Sequence, residues 1–129
     1  MESSHHRIRV LLVDNHPMVR RALRDLLECY SDIEVIGTAE DGPGALDAVR
    51  NFSPDVILLD VALPGLSGIQ VARQVRRAWP ALRIIMLTSY DPQYVEQVTG
   101  GCAHAYLSNS RAEKSICEAI RGVYHDQSS

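Results

Sequence analysis

Short apolar runs alternate with amphipathic helical patterns five times along this chain, and that alternation limits its fold more than any other feature. Residues 8–13, 56–59 and 84–87 are β-branched or leucine-rich and carry almost no polar interruption. Runs of that kind suit strands buried on both faces, the condition of a parallel sheet. Residues 33–36 form a shorter candidate of the same type, and residues 103–107 a weaker one.

Helical patterns fill the intervals. Met18, Val19, Ala22, Leu23, Leu26 and Leu27 recur at three- and four-residue spacings with Arg20, Arg21, Arg24 and Asp25 mostly opposite, so these six are expected to face the core. Pro17 fits the first turn, and Asn15 or His16 stands where a cap is wanted. Ala45, Leu46 and Val49 mark a second helix, and Ile69, Ala72, Val75 and Trp79 a third, stopped by Pro80. Tyr94, Val95 and Val98 mark a short fourth helix ended by Gly100 and Gly101, and Ile116, Ala119, Ile120 and Val123 a fifth.

Five βα repeats predict an α/β domain, a three-layer sandwich with helices on both faces of a five-stranded parallel sheet. The natural strand order is flavodoxin-like, 2-1-3-4-5, with a ligand site at the carboxyl ends of the strands beside the switch point. The 129 residues fit one folded unit, expected over residues 8–124. Residues 1–7 are expected to form a disordered tail, and residues 125–129 a C-terminal tail or the start of a linker.

Composition removes several function classes. No apolar run approaches the roughly 20 residues that span a bilayer, and the polar N-terminus has no signal-peptide stretch, so a cytoplasmic protein without membrane contact is expected. Cys29, Cys102 and Cys117 are odd in number and lack close spacing, which fits buried or incidental thiols rather than disulfides or zinc. A net charge of −3 with scattered arginines gives no footprint for nucleic acid. His5 and His6 are adjacent in the polar tail and read as solvated side chains.

The chemistry should gather where the apolar runs end. Asp14 follows the first run, Asp60 the third, Thr88 the fourth, and Ser108-Asn109-Ser110 the fifth. In the predicted fold these positions become neighbours at one sheet edge. Each has a plain structural reading: a turn-forming Asp at 14, a turn at 60 before Pro64, Gly65 and Gly68, and a satisfied loop hydroxyl at 88. Their convergence favours chemistry. A carboxylate at Asp60 can attack phosphorus when a cation neutralises the phosphoryl oxygens, and Asp14 is placed to help hold Mg2+.

The segment Val10-Leu11-Leu12-Val13-Asp14-Asn15-His16-Pro17 resembles the opening of response-regulator receivers of the NarL/FixJ (LuxR-type) family. Asp55-Val56-Ile57-Leu58-Leu59-Asp60 with Leu63-Pro64-Gly65 and Gly68 resembles the phosphoacceptor strand and its loop. Met86-Leu87-Thr88-Ser89-Tyr90 and His104-Ala105-Tyr106-Leu107 resemble the fourth and fifth strand endings, so the likeness covers residues 8 to 124. It implies that a sensor histidine kinase phosphorylates Asp60 with Mg2+ nearby. Thr88 would hydrogen-bond the phosphoryl group while Tyr106, the switch aromatic, turns inward. It also implies a homodimer, through the face of helix 4, strand 5 and helix 5 or through helices 1 and 5. DNA would be reached only through an output domain absent from this chain. A receiver of this kind is a phosphoacceptor rather than an enzyme, at most transferring and losing its own phosphoryl group.

Two positions depart from the family. Asn15 replaces the second acidic residue, which weakens but does not abolish a metal-ligand role for its amide oxygen. Asn109 replaces the usual lysine, and an amide cannot supply its point charge. The only lysine is Lys114, and Arg111 reads as an exposed arginine at the start of a helix. The stretch from Thr88 to Asn109 is slightly short, which puts the fourth helix in question. The rival reading is therefore an atypical receiver, a protein-interaction module independent of phosphate. Two enzyme-like alternatives fit less well. A flavin site needs a glycine- and hydroxyl-rich loop after the first strand, and a dehalogenase-like phosphatase would need its nucleophile and acid where this chain has Asp14 and His16.

Overall fold

A computed structural model describes residues 7–63, 67–108 and 113–125. It contains β1 (Ile8–Val13), α1 (Pro17–Leu27), β2 (Ile33–Ala39), α2 (Gly42–Phe52), β3 (Val56–Asp60), α3 (Gly68–Ala78), β4 (Arg83–Thr88), α4 (Pro92–Thr99), β5 (Ala105–Ser108) and α5 (Glu113–His125). The five strands are parallel in the order β2-β1-β3-β4-β5, the flavodoxin-like order expected from the sequence.

Strand pleating divides the core into two layers. Leu11, Val13, Ile57, Leu59, Ile84 and Met86 pack against α2 and α3 through Ala45, Val49, Val71, Ala72 and Val75. Val10, Leu12, Val56, Leu58, Ile85 and Leu87 face the other way, onto Leu27 of α1 and Ile116, Cys117 and Ile120 of α5. Both faces are covered, which is why these strands read as unbroken apolar runs. The fourth helix is present over eight residues, and Gly100 and Gly101 end it with positive φ angles of 72° and 77°.

Several local expectations are corrected. Met18, Val19 and Ala22 do not face the core; Met18 is 85% exposed, and Leu27 is the only fully buried residue of α1. The helix packs through its C-terminal half, while its first turns overhang the sheet edge. β2 runs on through Gly37 and Thr38 to Ala39, past a register shift opposite Val10/Leu11 that lets polar residues continue the ladder. β5 begins at Ala105 rather than 103, and α3 ends at Ala78, with Trp79 already off helical geometry (φ −133°). Cys102 and Cys117 are buried and Cys29 is exposed.

His104 stands in for a backbone acceptor ahead of β5. Its Nδ1 accepts the Ile84 N–H at 3.0 Å while its own backbone N–H donates to the Ile84 carbonyl at 2.8 Å. Burial, and then Arg76 and Arg83, push this histidine below its ordinary value of 6.5. Protonation would remove the acceptor and add a third cation. The folded state then binds fewer protons than the unfolded chain, so this contribution is complete above about pH 6.5 and is lost as pH falls below it. Urea denaturation at pH 7.5 and 5.5 should show a loss of about 1 kcal/mol or less attributable to this group, since solvent screens a partly exposed ring. His104→Asn, which keeps an acceptor and cannot titrate, should shed that portion; equal pH dependence in both proteins would refute the assignment.

Candidate functional site

The register of β1 on β3 builds the site. Val13 pairs with Leu59, so the next residues out, Asp14 and Asp60, emerge side by side at the carboxyl ends of two adjacent strands. Both continue the alternation that points toward α1 and α5. Each residue is only 7% exposed. They open into a cleft of about 340 Å³ whose walls include Val19 and Leu23 of α1, Ser89 and Ile116. A larger groove of about 390 Å³ lies at the opposite sheet edge around Trp79, Pro54 and Tyr124. Its one carboxylate, Asp55, is engaged by the Arg9 backbone N–H at 2.9 Å, so size alone would misplace the chemistry.

His16 completes the pocket. The Asp14 Oδ1 atom accepts from the His16 backbone N–H at 2.8 Å and lies 2.9 Å from the His16 imidazole Nδ1. The Arg20 guanidinium holds the Asp14 carbonyl at 2.6 Å, fixing the β1–α1 turn. One ligand atom from each of Asp14, His16 and Asp60 lies within 4.8 Å of the other two. The Asn15 Oδ1 atom is buried without a hydrogen-bond partner among the described residues. Such an oxygen is costly to leave unmatched. Two carboxylates and an imidazole fit a divalent cation by their donor chemistry.

The Asp60 Oδ1 atom accepts from the Ala62 N–H at 3.0 Å. Burial pushes the Asp60 carboxyl above the usual carboxylate range and neighbouring Asp14 adds to the rise, while the Ala62 N–H and His16 act against it. The loop that carries Asp60 closes through bonds from Val61 N–H to the Leu87 carbonyl and from Gly68 N–H to the Val61 carbonyl. In the sequence Gly68 reads only as a turn signal. A Cβ there would fall on the Asp60 carbonyl oxygen and 2.8 Å from Val61 Cα, so bare glycine is what lets α3 start against the site strand.

The other expected residues lie outside the Asp14–His16–Asp60 cluster. Thr88 is 1% exposed and its hydroxyl accepts the Tyr90 N–H at 2.9 Å, which leaves the hydroxyl proton for another acceptor. Tyr106 is half-buried against the α2/α3 layer, and its phenol oxygen accepts the Ala103 N–H at 2.9 Å with Thr99 and Cys102 beside it. Burial raises its phenol above the ordinary range. Asn109 lies outside the described residues.

The chain matches the family described as "Response regulator receiver domain" over residues 10–121. It belongs to that family. This receiver is 43% identical over 117 residues to the transcriptional regulatory protein LiaR of Bacillus subtilis, covering 90% of this chain and 56% of LiaR. It is 38% identical over 122 residues to the response regulator UvrY of Escherichia coli, covering 93% of this chain and 56% of UvrY. The receiver thus spans little more than half the length of these relatives. Among solved structures, a two-component response regulator of the LuxR family from Aurantimonas sp. SI85-9A1 superposes with a TM-score of 0.87 at 29% identity, over 94% of this chain and 87% of that one. The receiver is a LuxR/NarL-type domain of two-component signalling. Among the described residues no helix is long and apolar enough to cross a membrane.

Proposed function

We propose that this receiver is a phosphorylation switch in which Asp60 accepts a phosphoryl group from a sensor histidine kinase. The observation that carries the reading is the pairing of Asp14 and Asp60 at adjacent strand ends, in one cleft with His16. An Asp60 carboxylate oxygen forms the new P–O bond as the donor's P–N bond breaks, and the donor imidazole leaves with the electron pair. A divalent cation, with Mg2+ the family's usual choice, would supply positive charge to the incoming phosphoryl oxygens, and Asp14, Asp60 and Asn15 are the residues that would hold it. Asp14 lies beside the nucleophile, and the Ala62 N–H orients it. Thr88 offers its hydroxyl proton to a phosphoryl oxygen.

Readout follows from the surface near β4 and α4. Tyr90, Tyr94 and Val98 are 66%, 58% and 59% exposed at four-residue spacing, an apolar stripe suited to a second copy of the receiver. The face of α1 and α5 is the other candidate. The domain acts in the cytoplasm, is a phosphoacceptor rather than a conventional enzyme, and reaches DNA only through an output domain beyond the residues present. The folded receiver is assigned to residues 8–124, and α5 carries one residue further, to His125.

The rival is a receiver that signals through protein contacts without phosphate. Asn15 and Asn109 support it, because both substitutions lower the positive charge the site can gather, directly or through a metal. Beryllofluoride with millimolar Mg2+ should shift the backbone amide resonances of Ala62, Val61 and Ser89 under the phosphorylation reading. Unmoved amides would favour the phosphate-independent reading.

A further inference from the structure

His16 is not needed by the phosphorylation reading, yet it brings a nitrogen donor into the cation pocket. We propose that His16 acts as a metal ligand alongside Asp14 and Asp60 and turns the site's preference from Mg2+ toward first-row transition dications that accept nitrogen, the class of Mn2+, Co2+ and Zn2+. This rests on the cation pocket of the proposed function, and concerns which ion occupies it.

The geometry points this way in three respects. The His16 Nδ1 and Asp14 Oδ1 atoms are 2.9 Å apart. That is the length of a hydrogen bond, and it is also about the 3 Å that separates neighbouring ligands on a six-coordinate ion with bonds of about 2.1 Å, so the pair can turn from bonding each other to sharing a cation without moving apart. The His16 backbone N–H also donates to the same carboxylate oxygen, which ties the residue to the pocket independently of its ring. The imidazole is 63% exposed and makes no capping bond to α1, although His16 is that helix's N-cap residue, so its ring is turned to the Asp14 carboxylate rather than to the helix.

The oxygen donors make the same argument from the other side. Mg2+ favours oxygen ligands and charge, and here the second acidic position holds Asn15, whose buried Oδ1 brings no charge. With one carboxylate fewer, the attraction for a hard ion is weakened while the imidazole's donation is retained. Imidazole suits Mn2+ modestly and Co2+ or Zn2+ strongly, following the order of affinities along the first row.

The test uses Co2+ as the spectroscopic probe and Mg2+ as its competitor, with no phosphodonor present. The whole chain carries His5→Ala and His6→Ala so that the tail histidines cannot bind the probe. Visible d–d absorption of Co2+ should report one site, and His16→Ala should weaken Co2+ at least about 10-fold while Mg2+ changes less than about 2-fold. His16→Gln, which returns an oxygen donor, should likewise lose the Co2+ advantage. A Co2+-to-Mg2+ affinity ratio unchanged in both variants overturns the proposal. Asp14→Asn should weaken both ions, and retention of both would also overturn it. Phosphoryl transfer is read separately by intact mass, so failure of Asp60 to be phosphorylated with either ion counts against the switch while leaving the ion preference measurable.

Discussion

Gly68→Ala should cost the fold about 3 kcal/mol or more, a large effect for a single methyl group. The added Cβ has nowhere to go. Its neighbours are the Asp60 carbonyl and the Val61 backbone rather than the far end of a flexible side chain, so β3 and α3 would have to separate. The same displacement moves the backbone of Asp60, the proposed phosphoacceptor. Gly122→Ala is the matched control, since nothing lies within 4 Å of a Cβ at that position in α5. Relief of glycine's backbone entropy there should stabilise the protein by up to about 1 kcal/mol. Urea midpoints of the two variants should therefore move in opposite directions. A Gly68→Ala protein within about 0.5 kcal/mol of the parent, at the level of an ordinary surface change, would show that the close approach of α3 to Asp60 is not real.

The second large effect is expected from Asn15→Asp. A unit charge about 4 Å from a dication is worth roughly 2 kcal/mol even in water-like surroundings, so restoring the carboxylate should tighten Mg2+ at least about 10-fold. Without metal the same change is unfavourable. Asp14 already helps to raise Asp60, and a third carboxylate would add to that repulsion, lowering the stability of the metal-free protein by about 1 kcal/mol. Calorimetric titration with Mg2+, beside denaturation in chelator, separates the two signs. Unchanged Mg2+ affinity would place Asn15 outside the cation's reach and leave its buried oxygen unexplained.

The parts of the fold that can be read from the sequence are those governed by burial alone. Val56 to Leu59 sits under helices on both sides, so exclusion from water writes its residue types, and the position of Asp60 at its end follows. β1 supplies Asp14 by the same logic. The first helix misleads because its apolar spacing continues through Met18 and Val19, where the helix has already passed the sheet edge; Val19 lines the cleft instead of the core. Periodicity records a face but not how far along it the partner extends.

The site divides in the same way. Asp14 and Asp60 are legible because strand ends converge in any parallel sheet. His16 is visible in the sequence as a cap candidate and as part of a family signature, but its approach to Asp14 depends on the β1–α1 turn, with Arg20 on the Asp14 carbonyl, which no spacing rule encodes. The requirement for Gly68 needs coordinates, since a turn glycine and a contact glycine look alike in one sequence. Thr88 and Tyr106 can be picked out as residues of the fourth and fifth strands, but their partners, the Tyr90 and Ala103 amides, are local loop contacts set by φ and ψ.

Intact-mass spectrometry after incubation with acetyl phosphate and Mg2+ tests the central claim most directly. The parent chain should gain the mass of one phosphoryl group, and Asp60→Asn should gain none. A parent that acquires no adduct, or an Asp60→Asn protein that acquires the same one, would contradict the assignment of Asp60 as the phosphoacceptor.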